Sequence, residues 1–303
     1  MINYRNIIKS RDLRLRILNA LSWVPDSLML RVQYMIQMGH WLHLRHPKRY
    51  TEKIQYYKIQ YKNPLLIPCV DKYDVREYVK SCGLEDILNE VYGCYEKSID
   101  IDFDKLPNEF VCKDTLGGGS NGVILCRDKS TLDIPSLKEK MDSWTSKDAH
   151  VKGGGREWPY YKGKNCRILI EKLLKTKDNS DLKDYKFFCF NGKVKFLYVS
   201  QGLDHIETAS ISFLSKDWSW MPFRRMDFPP LDVLPEKPAC YDKMIEVAER
   251  LSKGFPHVRV DLYDIDGNIV FGELTFYNSS GYMRLSPDKY DYVVGDMFDI
   301  SEF

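Results

Sequence analysis

The stretch RVDLYDIDGNIVFGELT, residues 259 to 275, leaves few arrangements open to this chain. Two apolar-alternating runs flank Asp266-Gly267, a dipeptide suited to the left-handed φ values of a tight hairpin turn. Side chains alternate with period two along a strand, so Arg259 and Asp261 share one face, as do Glu273 and Thr275 on the partner. Folding at the turn brings Asp261 and Glu273 together among Val260, Leu262, Leu274 and Phe276. Two carboxylates meeting there are costly unless a cation sits between them. Mg²⁺ suits that place, because it takes one or two carboxylates and completes its shell with phosphate and water. Arg259 beside them suits a phosphoryl or acyl-phosphate oxygen. A plain hairpin whose acids face water and pair with lysine is the competing reading. A Glu-x-x-x-His zinc site is excluded, since no histidine has suitable partners.

Further hairpins precede this one. KDTLGGGSNG, residues 113–122, lies between FVC and VILC and reads as a strand, a glycine loop and a second strand. DYKFFCFNGKVKFLYVSQG turns at Asn191-Gly192, and CRILIEKLL is a β-rich run. Lys113 ends a strand directly before the glycines, and Lys186 projects from an apolar strand. Either lysine alone is an ordinary solvated side chain. The informative feature is their order with the glycine loop, the ILIEKLL run and the two-carboxylate hairpin, which is compatible with one nucleotide site.

Residues 1–62 read as helical, and DSLMLRVQYMIQMG carries an Asp26/Ser27 cap signal and stops at Gly39. Its apolar spacing, with Arg14, Arg16, Arg31 and Trp23 nearby, describes either a helix packed on the body or one lying on an anionic membrane. PSLKEKMDSWTSK and CYDKMIEVAERLSKGF read as helices, the first opened by Pro135 and the second closed by Gly254. VKGGGREWPYYKGKN reads as a loop. Residues 203–238, rich in Pro and Trp with little periodicity, read as an insertion or long loop.

Composition sets the outer limits. A formal net charge of +2 gives no electrostatic case for nucleic acid. The eight cysteines form no CxxC pair and read as reduced, buried thiols, which with the charged N-terminus points to a cytoplasmic protein. No stretch approaches the ~20 apolar residues that span a bilayer. Contact with the inner face of the membrane through the N-terminal helix is the one membrane reading left open.

Six stretches in register resemble the TupA-like branch of the ATP-grasp superfamily, associated with bacterial surface-polysaccharide and teichuronopeptide synthesis. They are PKRYTEKIQYYKIQY, DKYDVREYV, FDKLPNEFVCKDTLGGGSNGVILCRDKS, CRILIEKLL, DYKFFCFNGKVKFLYVSQG and VRVDLYDIDGNIVFGELTFYNSSG, spanning about residues 47–281. The resemblance implies an α+β ATP-grasp fold, with ATP held between two α+β subdomains and a helical N-terminal region. It implies boundaries of 1–62 for that region, 63–107 for a pre-ATP-grasp segment, 108–175 for the lid subdomain and 176–303 for the C-terminal subdomain.

It also implies roles. Lys113 and Lys186 would contact ATP phosphates, under a flap of Gly117, Gly118, Gly119, Ser120 and Gly122 whose N–H groups close on the β/γ-phosphates. Glu171, Lys172 and Leu174 would form the hinge, the backbone of the latter two reading adenine and Glu171 holding the ribose. Asp261 and Glu273 would bind Mg²⁺, Arg259 would stabilise the transferred phosphoryl group, and Lys72 and Arg76 would approach the phosphates. Two departures stand out. Thr275 occupies the place of the Asn in the family's Glu-x-Asn metal motif, with Asn278 three residues on as a substitute ligand, and Asp114 puts a negative charge beside the flap lysine.

The reaction implied is transfer of the γ-phosphoryl group to a carboxylate, then attack of an amine on the acyl phosphate. For this branch the carboxylate would belong to a uronic acid, in a sugar nucleotide or polysaccharide, and the amine to an amino acid or small amine. Trp158, Tyr160, Tyr161, Trp218 and Trp220 read as sugar-stacking walls or as self-packed loops. A kinase on the same nucleotide site is an alternative. A glycosyltransferase using the DxD-like IDIDFD at 99–104 is another, although that run reads better as a loop or strand edge.

Overall fold

The computed structural model describes residues 11–118, 122–146, 164–178, 181–202 and 209–303. Gly119, Ser120 and the aromatic residues Trp158, Tyr160 and Tyr161 lie outside them. Three helices open the described chain: α1 (Arg11–Ala20), α2 (Asp26–Met38) and α3 (Tyr50–Gln60). The expected Asp26/Ser27 cap of α2 is corrected: Pro25 holds the cap position without a side-chain hydrogen bond, and Asp26 lies in the first turn. There its charge favours the positive end of the helix dipole. Gly39 ends α2 in the left-handed conformation at φ 80°. At the start of α3 the Glu52 carboxylate accepts from the backbone N–H of Lys48 and Arg49, at 2.9 and 3.1 Å.

The chain divides into two compact units, one built on Pro64–Leu174 and the other on Trp23–Asn63 with Lys175–Phe303. The first holds α4 (Val75–Ser81) and a wholly antiparallel sheet of β1 (Val91–Tyr95), β2 (Phe110–Asp114), β3 (Val123–Cys126) and β4 (Ile168–Glu171), in the order β1-β4-β2-β3. Helix α5 (Ile134–Thr145) buries Leu137, Met141 and Trp144 in a core with Phe110, Cys112, Ile168 and Ile170. Those strand residues alternate along β2 and β4, so Lys113 and Glu171 project from the opposite face.

The second unit is built on five antiparallel strands, ordered across the sheet as β10 (Asn268–Thr275), β9 (His257–Ile265), β5 (Asp184–Phe190), β6 (Lys193–Gln201) and β7 (Ser210–Ser215). β5 (Asp184–Phe190) and β6 (Lys193–Gln201) turn at Asn191 and Gly192, with φ of 48° and 72°. β7 (Ser210–Ser215) corrects the reading of 203–238 as a loop. Its six residues, SISFLS, are too short to show a period among Pro and Trp, and pairing with the longer β6 makes the strand. A two-residue strand β8 (Arg224–Arg225) follows. Helix α6 (Tyr241–Ser252) buries Met244, Val247, Ala248 and Leu251. β9 (His257–Ile265) and β10 (Asn268–Thr275) turn at Asp266 and Gly267, φ 53° and 86°. β11 (Leu285–Ser286) pairs with β8, and α7 (Lys289–Asp296) packs against α3, where Asp291 accepts from the backbone and hydroxyl of Thr51 at 3.0 and 2.7 Å.

All eight cysteines are free thiols, and five of them are buried.

Candidate active site

The central row of charge lies across β5, β9 and β10. Lys186 stands opposite Asp261, and Asp261 opposite Glu273. A regular two-residue hairpin would have set Gly272 against Asp261 and turned Glu273 to the other face. The register slips by one residue between Phe271 and Glu273, and this bulge restores Glu273 to the face of Asp261. Glycine fits there because a Cβ on residue 272 would stand 3.0 Å from the Asp261 carbonyl oxygen.

Within this row every charge is held. Arg259 donates to both Asp261 oxygens at 2.7 and 2.6 Å, to Glu273 Oε1 at 2.8 Å and to Asn278 Oδ1 at 2.6 Å. Lys186 donates to Asp261 Oδ2 at 2.6 Å and to Asp184 Oδ2. The Thr275 hydroxyl donates to Glu273 Oε1 at 2.9 Å. Asp184, Arg259, Asp261 and Asn278 are buried, while the Glu273 side chain is 40% exposed. Burial pushes Asp261 up to about 6, with Asp184 and Glu273 adding to the rise and Arg259 and Lys186 opposing it. Burial works against the charge on Lys186, but Asp184 and Asp261 hold its ammonium well above the usual lysine range.

Three carboxylates facing two cations leave one negative charge for an incoming cation, and Asp184 Oδ1 is buried without a hydrogen-bond partner. The donors are hard oxygens of the kind Mg²⁺ takes, so the residues fit that ion. Among the described residues no three His, Cys, Asp or Glu side chains are grouped as they stand to hold a metal ion, and Lys186 and Arg259 hold the Asp261 oxygens. Thr275 donates to Glu273 and Asn278 accepts from Arg259, and the Asn278 amide nitrogen rests 3.2 Å from the Met283 sulfur.

In the other unit the hinge and flap residues form their own cluster. Buried Glu171 accepts from Lys113 at 2.7 Å and pairs with Arg76 at 3.6 Å, while Arg76 also donates to the Asn89 carbonyl at 2.9 Å. Glu171 is thus a counter-ion for two cations, its Oε2 taken by Lys113 and its Oε1 facing Arg76. The Lys172 N–H is committed to the Glu90 carbonyl at 3.0 Å. Its own carbonyl accepts from Asn89 at 2.9 Å and keeps a second lone pair. Leu174 is half-buried. Lys72 reaches from the turn before α4 to the Gly117 carbonyl.

Asp114 is turned inward against the base of the flap. It is buried, and its Oδ1 accepts from the Leu116 N–H at 2.9 Å and from the Cys166 thiol at 2.7 Å. Its side chain also accounts for two of the glycines. A Cβ on Gly117 would come within 2.8 Å of Asp114 Oδ2, and one on Gly122 within 3.0 Å of Asp114 Cβ. Gly118 meets no such constraint.

Some expected participants stand elsewhere. Trp218 is buried, donates to the Pro235 carbonyl at 2.9 Å and packs edge-on against Tyr241 at 4.7 Å, so it is a core residue and not a sugar wall. Trp220 is exposed beside a cavity of about 470 Å³. In the IDIDFD run, Asp102 caps a turn and pairs with Lys105 at 2.9 Å. Sequence reasoning passed over Asp184, two residues before Lys186, although a carboxylate on the same strand face was the signal. It also passed over Arg225, which is buried and forked onto Asp227 at 2.9 and 2.6 Å. Arg225 and Arg259 each lie 5.8 Å from the Tyr198 ring.

Strand order, glycine loop and charge row together define an ATP-grasp architecture of the α+β class. The chain matches the TupA-like ATP-grasp model over residues 52–299, and it belongs to that family. Comparison with proteins of curated function finds no match.

Solved structures similar to the chain include D-alanine–D-alanine ligase from Bacillus anthracis complexed with ATP, at 16% identity and TM-score 0.42, covering 76% of this chain and 66% of that one. N5-carboxyaminoimidazole synthase from Aspergillus clavatus is 12% identical, TM-score 0.39, covering 75% and 50%. A RimK domain ATP-grasp protein from Sphaerobacter thermophilus is 10% identical, TM-score 0.40, covering 82% and 69%. The chain spans about half the length of other solved structures it matches, 57%, 40% and 55% of three of them.

Proposed function

We propose that this chain is an ATP- and Mg²⁺-dependent ligase that joins a uronic acid carboxylate, in a sugar nucleotide or polysaccharide, to an amino acid or small amine during capsular or exopolysaccharide synthesis. The observation that carries this reading is the row Asp184–Lys186–Asp261–Arg259–Glu273, buried at one end and open at Glu273. Asp261 and Glu273, with Asp184, would hold Mg²⁺, which when bound neutralises phosphate oxygens and orients them for in-line transfer. Lys186, fixed as a cation by two carboxylates, and Lys113 would bind phosphate oxygens. Arg259, pinned by Asp261 and Asn278, would stabilise charge on the transferred group.

In the first step a substrate carboxylate oxygen takes the γ-phosphoryl group and ADP leaves. In the second the amine nitrogen attacks the acyl carbon, phosphate leaves, and the nitrogen gives up a proton. No nucleophilic side chain is required. Arg225 is the cation offered to the acceptor carboxylate, since exposed Asp227, which now occupies its fork, is free to give way.

The test is ADP release with uronates against a panel of amines, with product masses recorded. An addition of uronate plus amine minus water is expected. Phosphosugar without an amine requirement would mean a kinase, and turnover of a sugar nucleotide without ATP a transferase. Lys186→Ala and Glu273→Gln should each lower ADP release by at least roughly a hundredfold with the fold intact by circular dichroism. Retained activity removes the site assignment.

A further inference from the structure

Helix α2 is apolar nearly all round, yet only one side is covered. Met29, Leu30, Tyr34 and Met38 are buried, the last three in a cluster with Leu42. On the opposite side, at helical spacing, stand Leu28, Val32, Met35 and Ile36, between 37% and 54% exposed. Trp23 before the helix and Trp41 after it are 78% and 64% exposed. A bare apolar face of this kind marks a surface made to be covered.

The chain following α2 indicates by what. A cavity of about 670 Å³ is lined by Arg31, His43, Arg45, His46 and Lys48, with Glu52 the acid among them. Glu52 is buried and already accepts from the His43 ring at 2.7 Å and from the backbone N–H groups of His43, Lys48 and Arg49. Neighbouring Arg49 is neutralised by Asp288 at 2.8 Å and Asp291 at 3.5 Å. Among the described residues Arg31, Arg45, His46 and Lys48 have no ion-pair partner. Arg31 sits on α2 itself, between its two faces, and donates to the Leu42 carbonyl at 3.2 Å, so one helix carries both the cationic cavity and the apolar stripe.

Apolar side chains framed by tryptophans take the boundary between headgroups and acyl chains, and clustered cations take anionic phosphates. A second copy of this chain would press the same positive charge against itself. A small soluble anion would leave the apolar face bare. We propose that α2 and residues 40–48 dock the protein on a membrane surface containing anionic phospholipid. The helix lies in the plane, since no described helix is long and apolar enough to cross. The inference stands apart from the ligase reading.

The full chain is sedimented with vesicles of phosphatidylcholine alone and of phosphatidylcholine with phosphatidylglycerol. Binding is expected only with the anionic lipid, weakening at high salt, with a blue shift of tryptophan emission that Trp41→Ser reduces. Arg45→Glu with Lys48→Glu should weaken binding more than roughly tenfold, at about fivefold or more per charge. Val32→Ser with Ile36→Ser should remove the binding that survives high salt. Both variants should keep their circular dichroism spectra. No sedimentation with anionic vesicles, or binding indifferent to both variants, overturns the proposal. So does a solution dimer that Val32→Ser with Ile36→Ser dissociates, or binding of inorganic phosphate in the cavity without binding to vesicles.

Discussion

Gly272 decides whether Glu273 belongs to the site at all. Alternation along a strand put Asp261 and Arg259 on one face and Glu273 and Thr275 on one face, and both statements hold. They do not by themselves make the two faces the same one. That depends on the extra residue between Phe271 and Glu273, which nothing in NIVFGELT marks except the glycine. Replacing Gly272 with Val forces a side chain toward the Asp261 carbonyl, where even a Cβ would stand 3.0 Å away. The strand then either shifts register, turning Glu273 away from Asp261, or strains. ADP release is expected to fall more than roughly tenfold with the circular dichroism spectrum kept; a variant as active as the parent would separate Glu273 from the chemistry. Asp184 was hidden for a related reason. Its place beside Lys186 is a two-residue step along a strand, plain in DYK, but its unpartnered oxygen is a property of burial that a string of letters does not carry.

At the scale of elements, turn chemistry was the most legible part. Asn191-Gly192 and Asp266-Gly267 mark the two hairpins that build the larger sheet, because only those residues take positive φ at low cost. β7 was illegible, since a six-residue edge strand draws its stability from its neighbour and not from its own pattern. The union of α3 with that sheet was equally hidden. It runs through His257 on β9, whose Nδ1 meets the Cys189 carbonyl at 2.9 Å and whose Nε2 meets the Tyr50 hydroxyl at 2.9 Å. The neutral ring satisfies both bonds, donating from Nδ1 and accepting at Nε2. Burial, with Arg259 adding, pushes its pKa down to about 3, against an ordinary 6.5. Between those values the unfolded chain binds a proton that the folded one refuses, so stability rises with pH across the window. The contribution is complete above about 6.5 and is lost progressively as pH falls toward 3, by about 1.4 kcal/mol per pH unit. Asp261, raised to about 6, shifts stability the opposite way over the same range, so the check is made on the ring itself: the His257 ring proton should not titrate in the native protein between pH 7 and pH 5. A ring titrating near 6.5 would mean that the α3 contact opens in solution.

For the whole molecule, the order of stretches along the chain was legible because each carries its own local signature, and the family match spans those stretches, over residues 52–299. Which residues would neutralise one another was not, since Lys113–Glu171 and Lys186–Asp261 join positions 58 and 75 residues apart. A ligand that binds only the folded state stabilises it by mass action, about 2.7 kcal/mol at a hundred times its dissociation constant. Non-hydrolysable ATP with Mg²⁺ should therefore slow amide exchange both in Phe110–Asp114 and in Asp184–Phe190, and Lys186→Ala should remove the effect in both. Each cation would exchange a carboxylate partner for phosphate oxygens, so binding without Mg²⁺ should be much weaker: nothing then offsets the charge left on Asp184 and Asp261. Protection confined to one strand set would show that the two clusters do not serve the same nucleotide. Equal protection without Mg²⁺ would show that the three carboxylates are held by Lys186 and Arg259 alone and take no metal.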